Sequence, residues 1–172
     1  MGYFKHIIFD LDDTLLDTSQ ILIPIRSDEA QFWKRLQEPL PLLPGALDNL
    51  NYLKRKYILH LLTQGKKKYQ EQKIRSMNIS EFFSQITIIE TEQSQTKEDF
   101  FATFCDKYQI PPHQVLSVGN RLSTDLGPAK KYGMMTCWFC YGEGQDEEAQ
   151  NYYEKPDFII RHHYEMIKKC RL

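Results

Sequence analysis

The stretch "IIFDLDDTLLDT", Ile7–Thr18, runs an apolar segment straight into four aspartates: Asp10, Asp12, Asp13 and Asp17. Strand-forming residues that end in a knot of acids describe a buried strand with charge at its carboxyl end. Five more runs of strand length follow it: "YILHLLT" at 57–63, "QITIIE" at 85–90, "VLSVGN" at 115–120, "MTCWFC" at 135–140 and "DFIIR" at 157–161. Segments of helical period lie between them, among them "PGALDNLNYLKRK", "KKKYQEQKIRSM" and "TKEDFFATFCDKY". Near-continuous apolar strands alternating with amphipathic helices predict an α/β fold, doubly wound, with a mainly parallel sheet and helices on both faces.

A length of 172 residues favours a single domain over 1–172 with a sizeable core. The one irregular region is an insertion at about 18–43, where Pro24, Pro39 and Pro41 leave room for one helix, near Asp28 to Gln37. Residues 141–156 read as a polar surface loop with a short helix. Hydrophobic residues make up 41%, charged residues 26%, and the net charge is -1. That balance offers no global field for nucleic acid or an anionic membrane. No apolar run approaches the roughly 20 residues a bilayer-spanning helix needs. The N-terminal apolar segment is short for a signal peptide, and His6 stands where a myristoylated Gly2 would want Ser or Thr. The expected compartment is cytoplasmic, with the four cysteines as free thiols. Asn78-Ile79-Ser80 then reads as a turn rather than a glycosylated sequon.

In open α/β sheets, ligands bind beyond the carboxyl ends of the strands. Those ends offer Asp10 and Asp12 after the first strand, Thr63 after the second, and Gly119-Asn120 with Asp125 after the fourth. Lys97 opens the helix leading to the fourth strand, behind Thr96 as N-cap. Carboxylates gather only where positive charge neutralises them, and an all-oxygen set suits Mg²⁺.

These residues resemble the haloacid dehalogenase-like hydrolase superfamily. Its Asp-x-Asp-x-Thr motif is similar to Asp10-Leu11-Asp12-Asp13-Thr14, its strand-ending Ser or Thr to Thr63, and its helix-opening Lys to Lys97. Its Gly-Asp with a following Asp resembles "VGNRLSTD", with Asn120 in place of the first Asp and Asp125 as the second. The resemblance covers nearly the whole chain outside 18–43 and implies the family's Rossmann-like fold with a minimal cap insertion. It implies Asp10 as nucleophile forming an aspartyl-phosphate, and Asp12 as general acid and base. Thr63, Gln64 and Lys97 would hold the phosphoryl oxygens. Mg²⁺ would be held by Asp10, the Asp12 carbonyl and Asp125, with Asn120 beside them. In the family's dehalogenase branch the position of Asp12 is not an acid, so the expected activity is phosphomonoester hydrolysis.

Asn120 removes one charge from the metal set and supports the alternative, a catalytically degenerate fold serving as a binding or regulatory module. A phospho-accepting receiver would carry its Asp after the third strand, where this chain has Glu90. Cys137-Trp138-Phe139-Cys140 lies on a strand rather than at a helix start, which disfavours a redox or zinc role. His6 and His60 fall within strands and read as core, as do Phe82, Phe101 and Phe104. Expected partners are a phosphorylated small molecule or an exposed macromolecular phosphate, with no membrane or nucleic acid. The assembly would be a monomer or a homodimer.

Overall fold

The computed structural model describes residues 3–172; Gly2, and with it the question of acylation, lies outside the described residues. Six parallel strands form one sheet, in spatial order β3-β2-β1-β4-β5-β6. They are β1 (His6–Phe9), β2 (Ile58–Gln64), β3 (Gln85–Ile89), β4 (Val115–Gly119), β5 (Met135–Phe139) and β6 (Phe158–Ile160). Each apolar run of the sequence supplies one strand. Consecutive residues of a strand point to opposite faces. Ile7, Phe9, Leu59, Leu61, Leu116 and Val118 therefore enter one core, while Ile8, Leu62 and Val115 enter the other. Both faces need apolar cover, which is why the strands read as unbroken hydrophobic runs.

Helices α3 (Ala46–Leu53) and α7 (His163–Lys169) and parts of α2 (Glu29–Gln37) and α4 (Lys67–Met77) pack on the first face, burying Leu36, Leu50, Ile74 and Met166. On the second face α5 (Lys97–Tyr108) and α6 (Gly127–Lys131) bury Phe101, Phe104 and Ala129. The region 18–43 holds the expected helix α2, capped by the Asp28 side chain on the Gln31 N–H, and a short additional helix α1 (Thr18–Ile21) capped by Asp17. Asn78 ends α4 in the left-handed conformation at φ 53°, as a turn residue should. Among the described residues no helix is long and apolar enough to cross a membrane.

Doubly wound sheets bind ligands where the winding reverses, between the strands whose crossovers leave in opposite directions. Here that point lies between β1 and β4, which pair from His6↔Val115 to Phe9↔Val118. Asp10 follows one strand and Asn120 the other.

At the other end of β1 and β2, His6 Nδ1 and His60 Nε2 lie 2.9 Å apart under Phe104 and Tyr108. Burial, with His6 and Lys107 nearby, holds His60 down to about 3. The unfolded chain takes up that proton near the ordinary value of 6.5, so His60 leaves stability intact above about pH 6.5 and withdraws it as the pH falls towards 3. The stability advantage of wild type over His60→Leu should therefore shrink by about 1.4 kcal/mol per pH unit below 6.5. Urea unfolding of both proteins from pH 7.5 to 5 checks this; a constant difference would contradict it.

Candidate active site

The turn after β1 is wound tightly: the Leu11 carbonyl accepts from the N–H groups of both Leu15 and Leu16, and Asp13 takes φ 54°. Aspartate tolerates that conformation when its side chain bonds locally. Asp13 does so, accepting from the Ser19 N–H at 2.8 Å, the Ser19 hydroxyl at 2.6 Å and the Glu143 N–H at 3.2 Å. The turn sends Asp10 and Asp12 to the same cleft, of about 240 Å³, which is also bordered by Thr18, Gln64, Lys97, Asn120, Arg121, Asp125 and Glu143.

Lys97 stands at the first position of α5. Thr96 and Asp99 close a reciprocal capping box there that fixes the first turn,. The Lys97 ammonium, buried, lies 2.6 Å from Asp10 Oδ1 and 2.6 Å from Asp125 Oδ1. Burial works against its charge, but the two carboxylates outweigh it and hold the ammonium above its ordinary value. Asp10 has only a share of that cation. Burial pushes its carboxyl up to about 7, against the pull of Lys97 and with the carboxylates of Asp125 and Asp12 adding to the rise.

Asp125 comes from a wide helical turn, Leu122–Leu126, that runs directly into α6. Its Oδ2 accepts from the Arg121 N–H at 3.0 Å, and the Ser117 hydroxyl holds its backbone carbonyl. Gly119 makes this approach feasible, because a Cβ there would sit 2.5 Å from the Asp125 Cβ. Asn120 is buried, its amide nitrogen 3.4 Å from the Tyr141 carbonyl and its own carbonyl bonded by the Trp138 indole at 2.9 Å. Asp10, Asp12, Asn120 and Asp125 thus border one cleft. The carboxylates of Asp10 and Asp125 share the one Lys97 ammonium between them. A hard divalent cation fits this all-oxygen set.

Asp12 is held differently from Asp10. Its Oδ1 accepts from Lys73 Nζ at 2.6 Å and Thr18 Oγ1 at 2.5 Å, and its Oδ2 from Gln70 Nε2 at 2.9 Å. Burial would raise its carboxyl, but the Lys73 ammonium and the three donors outweigh that and hold it below the ordinary value. The structure brings together Asp10, Asp12, Gln64, Lys97, Asn120 and Asp125. Thr63 sits one layer back, fully buried at the end of β2, with its hydroxyl 2.5 Å from Gln70 Nε2, and only its neighbour Gln64 borders the cleft. Of the lysines that open α4, Lys66 and Lys68 lie over Tyr69 and Trp33. Phe32 and Trp33 pack against the core, and Arg35 binds Glu38 and the Pro39 carbonyl. Cys137 faces Cys170 rather than Cys140, at 3.4 Å, and both are buried free thiols.

Several residues at the site carry no signal in the sequence pattern. Lys73 and Gln70 lie in a helix rich in polar residues, and Glu143 lies in what reads as a surface loop. That loop folds over the cleft: Tyr141 donates to Asp17 at 2.9 Å, and Arg121 bonds Glu143 at 3.2 Å and Glu147 at 3.0 Å.

A family model for haloacid dehalogenase-like hydrolases matches residues 27–139. The glyceraldehyde 3-phosphate phosphatase of Pyrococcus furiosus is 30% identical over 120 residues, covering 69% of this chain and 50% of that protein. The chain belongs to the haloacid dehalogenase-like hydrolase family. Among solved structures, a haloacid dehalogenase-like family hydrolase from Xanthomonas campestris superposes with a TM-score of 0.76 at 16% identity, over 98% of this chain and 95% of that one. The HAD-hydrolase YfnB from Bacillus subtilis, bound to magnesium, gives 0.73 at 18% identity, over 97% and 98%. The chain spans about half the length of the curated relatives it matches.

Because a methyl group at position 119 would drive into Asp125, Gly119→Ala should destabilise the protein by about 1–3 kcal/mol. Denaturant unfolding measures this directly, and an unchanged midpoint would mean that the Asp125 turn yields freely.

Proposed function

We propose that this chain is a Mg²⁺-dependent phosphomonoester hydrolase acting through an aspartyl-phosphate on Asp10. The supporting observation is the bridging of Asp10 and Asp125 by the Lys97 ammonium, 2.6 Å from each, at the mouth of a cleft that Asp12 also borders. The Asp10 carboxylate attacks phosphorus, the ester P–O bond breaks, and the departing oxygen takes its proton from Asp12. Water then attacks the phosphorus of the acyl-phosphate, Asp12 accepts the water's proton, and phosphate leaves with Asp10 regenerated. Lys97 keeps Asp10 in place and supplies positive charge beside the transferring group. Mg²⁺, held by Asp10, Asp125, Asn120 and the Asp12 carbonyl, would offset the repulsion between carboxylate and phosphate.

Relatives named as phosphatases support this reading. So does the presence of Asp12, a second carboxylate bordering the same cleft two residues from Asp10. A cleft of about 240 Å³ walled by Thr18, Arg121 and Glu143 favours a small phosphate ester. On this reading residues 18–43 are a minimal insertion that contributes Thr18 to the cleft, and the chain works as one domain. The binding-module alternative rests on Asn120, which keeps a ligand oxygen but one charge fewer.

Hydrolysis of an aryl phosphate with and without Mg²⁺ tests the proposal. Turnover should require Mg²⁺ and fall by on the order of a thousandfold or more in Asp10→Asn. Asn120→Asp should lower the Mg²⁺ concentration for half-maximal rate several-fold, since added ligand charge tightens binding. Inert wild type together with inert Asn120→Asp would favour the binding module.

A further inference from the structure

Asp12 accepts from three side-chain donors where the proposed nucleophile accepts from one, and two of the three come from α4. Gln70 Nε2 reaches Asp12 Oδ2 at 2.9 Å, Thr63 Oγ1 at 2.5 Å and the Gln64 carbonyl at 3.2 Å. One amide thus ties the carboxylate after β1 to the end of β2. The Gln70 side chain lies directly against Gly65, where a Cβ would come within 3.1 Å of its Cδ. Lys73 follows three residues later on the same helical face. Its ammonium, with a side chain 8% exposed, meets Asp12 Oδ1 at 2.6 Å.

The Lys73 ammonium is buried while the Asp12 side chain is 28% exposed, so desolvation of the ammonium offsets part of the attraction and the pair is a modest stabilising device. What the pair does secure is direction. With Thr18 on Oδ1 and Gln70 on Oδ2, the Asp12 carboxylate is restrained against rotation about its side-chain bonds, and Asp12, its side chain 28% exposed, borders the cleft.

We propose that Lys73 and Gln70 are positioning residues that aim the Asp12 carboxylate at the leaving oxygen of the substrate. The proposal rests on the phosphatase reading and deepens it. Neither residue touches the substrate; each acts through Asp12. Misplacing a proton donor by about 1 Å costs on the order of a hundredfold. The loss falls hardest on esters whose leaving oxygen most needs a proton, and least on activated ones.

The test is kcat/KM, with Mg²⁺ present, across aryl and alkyl phosphates graded by the acidity of the leaving alcohol. This constant reports the steps up to departure of that alcohol. In Lys73→Met the logarithm of kcat/KM should fall more steeply with leaving-group pKa than in wild type, with losses of about tenfold for nitrophenyl phosphate and about a hundredfold or more for alkyl phosphates. Lys73→Arg, which keeps a charged donor, should restore the shallower dependence. Thermal unfolding of each variant runs alongside. An equal loss for every ester, with or without a lower unfolding temperature, would mean that Lys73 only holds α4 in place and would overturn the proposal. Wild type inert towards the whole series would overturn the phosphatase reading and this proposal with it; wild-type activity with an unchanged dependence in Lys73→Met overturns the proposal alone.

Discussion

The Lys97 ammonium, 2.6 Å from a carboxylate oxygen of Asp10 and of Asp125, is the contact on which the rest of the site is arranged. It joins the end of β1, the turn after β4 and the first turn of α5, three elements whose only common place is the rim where the winding reverses. A buried ammonium needs compensating charge, and two buried carboxylates need it more. The capping box that fixes Lys97, the absence of a side chain at Gly119, and the wide turn that carries Asp125 all serve that one meeting of charges.

The same accounting of charge separates the two aspartates of the first motif. Asp10 shares its cation with Asp125 and is pushed up to about 7, chiefly by burial. Asp12 has the Lys73 ammonium beside it and is held below its ordinary value. Two carboxylates two residues apart in sequence therefore stand in opposite electrostatic states. The proposed roles require both to change when substrate and cation bind: added positive charge would hold Asp10 ionised for attack, and the approaching phosphate would raise Asp12 towards its proton-donating form. Two carboxylates, Asp10 and Asp125, sharing one ammonium also give a physical reason for a divalent cation there.

The strands were legible because the central ones, β1, β2 and β4, are buried along nearly all their length, and all six runs proved to be strands. Helix α2 was legible from Asp28 and the flanking prolines, and the start of α5 from Thr96. At the site, Asp10, Asp12, Lys97, Asn120 and Asp125 could be located because strand and helix ends have fixed places in a doubly wound sheet. Thr63 could be placed at the end of β2, but not the direction of its hydroxyl, which Gln70 claims. Lys73 was hidden because α4 is polar over most of its length and nothing local marks which of its cations turns inward. The fold of 141–147 over the cleft depends on long-range bonds such as Tyr141 to Asp17 and Arg121 to Glu143, and a glycine-rich acidic stretch gives no local sign of them.

The central claim is that Asp10 becomes covalently phosphorylated in turnover. Rapid quench of the protein with excess phosphate ester and Mg²⁺, followed by borohydride reduction and peptide mass spectrometry, tests it most directly. An acyl-phosphate on Asp10 is reduced to homoserine at that position, and the account predicts this product in the peptide containing Ile7–Thr18 of wild type, with none in Asp10→Asn. Steady turnover with no modified Asp10, at a rate that Asp10→Asn leaves unchanged, would contradict it.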